Sequence, residues 1–219
     1  MRNITVLTVV TVLTVLAVSV GGGAFAAAAP ANPPVGLCFG LTPTIVGTPG
    51  ADTLTGTPGP DVIAAGAGND QVTGLGGDDT ICGGPGNDTI QGGDGTDRIA
   101  GGPGDDLLDG GVLGCCGAGN GGNDIVYGGP GNDVLHASDF GNNTLYGEQG
   151  ADELHGWQGN DTLVGGNGAD VLEGFTGNDN LSGGNGRDRL DGGAGTDTLN
   201  GGRGRDTCLN GESNTSCEG

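Results

Sequence analysis

An aspartate returns every nine residues along most of this 219-residue chain, and an aliphatic side chain follows it two positions later. The stretch GGPGNDTIQ, GGDGTDRIA, GGPGDDLLD at residues 83–109 shows the pattern three times in succession. With the first residue of each block as position 1, eighteen units run from residue 47 to Leu209, one of them a residue longer than the rest. Position 6 is Asp in sixteen of them: Asp52, Asp61, Asp70, Asp79, Asp88, Asp97, Asp106, Asp124, Asp133, Asp152, Asp161, Asp170, Asp179, Asp188, Asp197 and Asp206. Carboxylates are hard oxygen ligands, and glycine-rich turns let main-chain carbonyls crowd one point. A calcium ion takes about six to eight such oxygens. The chemistry on offer is cation binding at successive turns.

The elements that position these carboxylates follow from the remaining positions. Positions 7 to 9 read x-apolar-x, a minimal strand whose middle side chain turns inward. Position 8 is Leu, Ile or Val in sixteen units, with Gly117 and Cys208 as the exceptions, and Ile45 extends the frame backwards by one degenerate unit. Positions 1 to 6 are turn residues. Turn and strand, repeated, wind an all-β solenoid with parallel ladders, two units to a coil, odd units stacking on odd and even on even. One apolar side chain in nine makes a thin core, and aspartates stacked about 4.8 Å apart repel one another. A cation between the turns relieves both weaknesses.

These units resemble the repeats-in-toxin (RTX), or hemolysin-type, calcium-binding repeat G-G-x-G-x-D-x-U-x, over about three quarters of the chain. The resemblance implies a parallel β-roll, a right-handed β-solenoid of tandem nonapeptides, with calcium between successive turns on each side. It also implies that the sixteen position-6 aspartates are the side-chain ligands and that turn carbonyls complete the shell. Eighteen units give sixteen same-side steps, of which four involve a unit without Asp, so about twelve calcium ions are expected. RTX families include proteases, lipases and pore-forming toxins, but G-x-S-x-G, H-E-x-x-H and the EF-hand loop are all absent from this chain. The array is therefore expected to be a non-enzyme. The family's ice-binding members carry Thr at outward turn positions; here position 3 is mostly Pro, Gly, Asn or Gln.

Composition bounds the partners. Net charge is −21, with six Arg and no Lys, which excludes nucleic acid because phosphate backbones are held by Lys and Arg. Fifty-four glycines and this much acid would ordinarily read as disorder, and only the strict period argues otherwise. Arg2, the uncharged stretch from Ile4 to Val20 and Ala24-Phe25-Ala26 read as a signal peptide over residues 1–26, cleaved after Ala26. The stretch is short and Thr-rich for a membrane span, so the mature chain is expected to be exported without stable membrane insertion. Residues 27–46 form an N-terminal segment and cap strand, 47–209 the roll, and 210–219 a C-terminal cap.

Two units break the pattern. Unit 110–118, GGVLGCCGA, puts Cys115 at position 6 and Gly117 at position 8; unit 137–146, ASDFGNNTLY, carries an extra residue and Asn143 at position 6. Both are expected to bind calcium weakly or not at all. Near them, His136, His155 and Glu173 share one outward column, Tyr127 and Tyr146 another, while Trp157 and Phe175 sit on turns. A His-His-Glu zinc site would have three ligands in line, a poor tetrahedral arrangement. Six cysteines in an exported chain imply disulfides. Cys208–Cys217 would close the far end and Cys38–Cys82 would clip the leading segment, leaving Cys115 and Cys116 as a vicinal bridge or free thiols. The expected function is a secreted, extracellular calcium-binding structural protein. The competing reading is an adhesin that binds a glycan or cell-surface protein through residues 115–157.

Overall fold

Each x-apolar-x triplet becomes a strand, and consecutive triplets go to opposite sides of a narrow core. The computed structural model describes residues 38–111, 122–138 and 140–217. One sheet has ten strands, from Ile45–Val46 to Ser213–Thr215; the other has nine, from Thr53–Thr55 to Thr207–Leu209. Neighbouring strands pair in parallel, in a register that repeats the sequence period twice: Ile63 faces Ile81, and Leu163 faces Leu181. Among the described residues there is no helix. The fold is a parallel β-roll.

Position 8 supplies the core. From Ile63 through Val72, Ile81 and Ile90 to Leu181, Leu190 and Leu199 these side chains are buried and meet between the sheets. Ile45 pairs with Ile63, so the degenerate leading unit does join the ladder. Outside the first sheet a second, smaller cluster forms around the Cys38–Cys82 disulfide, with Ala100, Phe39, Val62 and Tyr127. There the Arg98 guanidinium lies 3.8 Å from the centre of the Phe39 ring. At the other end Cys208 is bridged to Cys217.

The stacking rule of odd on odd and even on even fails at residue 110. Ile99 pairs with Val126 and Leu108 with Leu135, steps of 27 residues instead of 18. Gly110 lies against the Asp124 carboxylate, as position 1 lies against its own aspartate in other units, and Gly122 lies over the Gly95 carbonyl, position 4 over position 4. The described parts of 110–118 and 119–127, residues 110–111 and 122–127, thus belong to one unit that is nine residues longer in sequence than a regular one. Units before and after the insertion exchange sheets. Cys115 and Cys116 lie outside the described residues, as do residues 1–26, where a signal peptide is expected, and the segment to residue 37. The extra residue near 139 is absorbed in a turn too, because Val126 pairs with Leu145 nineteen residues on.

Candidate metal centres

Asp152 shows how a turn is assembled. Its Oδ1 accepts the main-chain N–H of Asp133, one coil earlier, at 2.9 Å. Its Oδ2 is buried and has no hydrogen-bond partner. A Cβ placed on Gly147, position 1 of the same unit, would stand 2.5 Å from that Oδ2 and 2.7 Å from the carbonyl oxygen of Gly165 in the next coil. Carboxylate and carbonyl oxygens therefore converge over a bare Cα, and any side chain at Gly147 would fill the space between them. Position 4 is constrained differently. Gly186 has φ near +152° and its Cα faces the Gly168 carbonyl, a conformation and an approach that only glycine takes without strain.

The Oδ1 bond repeats at every same-side step. Fifteen such steps link Asp52 to Asp206 in one column and Asp61 to Asp197 in the other. The orphaned Oδ2 repeats as well: it occurs in fourteen of the sixteen aspartates, from Asp70 to Asp206. A buried anionic oxygen without a partner is costly, and the unsatisfied atom normally has a ligand. The donor set of paired carboxylates and carbonyls is all hard oxygen, which fits calcium.

Asp52 and Asp61 depart from this. Their Oδ2 atoms accept from the main-chain N–H and Oγ1 of Thr48 and Thr57, respectively. Only the first two units carry Thr at position 2. That substitution was the available signal, but the column of aspartates hides it.

Burial raises the carboxyl pKa values of ten aspartates in the two columns to about 6 to 8. Asp133 is pushed up to about 8, first by desolvation and then by the charges of Asp106, Asp152 and Asp105, against a lowering by the Asp106 N–H. Asp97, Asp106, Asp170 and Asp179 are raised to about 7, and Asp79, Asp88, Asp124, Asp152 and Asp161 to about 6, desolvation leading in each case. A column of this kind stores electrostatic cost unless a cation lies in it.

The family model of the RTX calcium-binding nonapeptide repeat, four copies long, matches residues 46–81, 83–112, 118–140, 138–172 and 173–208. The chain belongs to the RTX calcium-binding repeat family. A comparison with curated proteins finds no match. As an RTX array the molecule is a calcium-binding repeat protein, and its irregular positions can be placed. Asn143 sits in the column in place of an aspartate: its Oδ1 accepts the Asp124 N–H at 2.9 Å, and its Nδ2 donates to Asp161 Oδ1 at 3.3 Å. The amide copies the hydrogen bond and lacks the charge. Ser138 supports this turn, donating from Oγ to the Phe140 carbonyl at 2.8 Å.

Outside the RTX columns, His136 and His155 stack with ring centres 5.0 Å apart, and Trp157 stacks on Phe175 at 4.6 Å. His155 Nε2 lies 3.1 Å from Glu153 and 3.9 Å from Glu173, and Arg189 holds Glu173 at 2.8 Å. Trp157 and Phe175 adopt left-handed φ of 65° and 69° at position 2, where most units have Gly. Among the described residues no group of three or more His, Cys, Asp or Glu side chains is arranged to hold a metal. The zinc reading of His136, His155 and Glu173 therefore has no geometry behind it. Each turn site instead combines few carboxylates with main-chain carbonyls.

Proposed function

We propose that this protein is an exported structural module whose roll forms as calcium enters its aspartate columns. The fourteen buried, unpartnered Oδ2 atoms carry the reading. Aspartates from Asp70 to Asp206, with the position-1 carbonyls over each glycine, are the residues that would hold the ions. Calcium supplies positive charge and oxygen coordination, which offset the burial of the carboxylates. Of the fifteen same-side steps, two pass through Asn143, so thirteen join aspartate to aspartate. With the 110–118 unit out of the count, we expect about thirteen ions rather than twelve. Asp52 and Asp61, already held by Thr48 and Thr57, are the weakest ligands of the sixteen.

Export is supported by the apolar stretch from Ile4 to Val20 with Ala24–Ala26 behind it, and by two disulfides, which persist in oxidising surroundings. Among the described residues no helix is long and apolar enough to cross a membrane. Extracellular calcium modules bind at about 10⁻⁴–10⁻³ M, above the calcium level of a cell interior and near that outside it. The test is a calcium titration of the mature chain followed by circular dichroism. A cooperative gain of β signal is expected, and a full β spectrum in excess chelator at pH 8 would overturn the proposal.

A further inference from the structure

The residues after Leu209 form a shortened coil of their own, outside the nonapeptide frame and beyond the matched segments. Strand Ser213–Thr215 pairs with Thr198–Gly204 so that Leu199 faces Asn214, a step of fifteen residues instead of eighteen. Asn210, Gly211 and Glu212 take the place of a six-residue turn. Two features of a full turn survive the shortening. The Asn210 carbonyl stands over Gly192, where a Cβ would lie 2.6 Å from it and 2.6 Å from Asp197 Oδ2, as the Gly165 carbonyl stands over Gly147. Glu212 Oε2 accepts the main-chain N–H of Asp197 at 2.5 Å, the bond that the next aspartate's Oδ1 accepts elsewhere in the column. Ser213 N–H also donates to the Asp197 carbonyl at 3.2 Å, as Gln71 does to that of Asp52. Asp197 itself is only 1% exposed, and its Oδ2 has no partner.

We propose that Glu212 is the carboxylate ligand of one further calcium ion, bound between it and Asp197 at the end of the column that starts with Asp61. The proposal rests on the calcium reading of the columns. Glutamate suits the place because its extra methylene spans what three missing turn residues would otherwise cover. The neighbouring column ends differently. The Ser216 carbonyl lies over Gly201, but no described carboxylate accepts the Asp206 N–H. Among the described residues, one column thus gains a terminal site and the other does not.

The experiment counts calcium per chain by native mass spectrometry on the disulfide-intact protein and measures amide exchange in saturating calcium. Glu212→Gln keeps the length and an acceptor oxygen for the Asp197 N–H but removes the charge. It is expected to bind one ion fewer than the unsubstituted chain, with faster exchange confined to residues 192–215. Asp170→Asn is the internal reference and tests the columns. If Asp170→Asn loses calcium while Glu212→Gln keeps the full count, the Glu212 site is wrong and the column reading stands. Faster exchange with an unchanged count would make Glu212 a structural cap only, which also overturns the proposal. If neither variant loses an ion, the calcium reading of the columns fails and the terminal site fails with it.

Discussion

In Asp170, Oδ1 accepts the Asp152 N–H at 3.0 Å while Oδ2 is buried without a partner. Replacement by Asn keeps the first role and puts an uncharged donor in the second, the state Asn143 already shows. Asp170→Asn is therefore expected to weaken its calcium sites by about tenfold or more, from the loss of a charged ligand. Asp52→Asn is expected to leave the calcium midpoint unchanged and to cost about 1 kcal/mol through the Thr48 hydrogen bonds. Equal midpoint shifts in the two variants would contradict this assignment. The buried carboxylates of Asp79, Asp133 and Asp170 set the pH dependence of the metal-free chain. Their folded pKa values, about 6 to 8, lie above the unfolded value near 3.9, so the folded state binds the extra protons. Stability from this source is complete below about pH 4 and is lost as pH rises through 6 to 8. In chelator, Tm is expected to be higher at pH 4 than at pH 8; the opposite order would refute the electrostatic account.

At the scale of the elements, the nine extra residues of the unit that spans 110–127 make a direct prediction. Deleting residues 112–120 leaves GGGGNDIVY, a regular unit, and restores the 18-residue step between Ile99 and Val126. The deletion variant is expected to keep its β spectrum, both disulfides and its calcium count. Loss of β signal would mean that residues 112–120 contribute to the ladders. The strands themselves were legible in the sequence because position 8 and position 6 each obey one rule: an inward aliphatic and a buried carboxylate. Even the degenerate Ile45 followed it. What the frame concealed were places where the same spacing is met by different chemistry. A nine-residue insertion preserves the phase of a nine-residue repeat, so the sheet exchange at Gly110 showed in the sequence only as one irregular unit with Cys115 in the ligand position. Glu212 was invisible because its turn is shortened, and Thr48 and Thr57 because a hydroxyl at position 2 acts on a residue four places away. The aromatic corner of Trp157, Phe175 and His155 was visible as composition, but its contacts depend on turn geometry that no spacing rule encodes.

Over the whole molecule, whose net charge is −21, sixteen aspartates are wound into two columns, buried from Asp61 onward, whose ends differ. At the leading end, Thr48 and Thr57 hold the first two carboxylates and the Cys38–Cys82 bridge binds the leading segment to the outside of the sheet. Beyond it, the N–H of each position-6 residue up to Asp197 is accepted by a side chain one coil further on, as Asp152 accepts that of Asp133. In the terms of crystal growth, the first coil is a seed and every later coil presents a growing face. The seed needs no cation for its own carboxylates, whereas each added layer needs one to settle. Pulsed amide exchange after calcium addition is expected to show protection first at residues 44–82 and last at 189–215. Simultaneous or reversed protection would remove the direction. A roll that grows from one face has its length set by how many layers the chain supplies, and half-filled molecules are then short complete rolls with loose tails instead of long rolls with gaps.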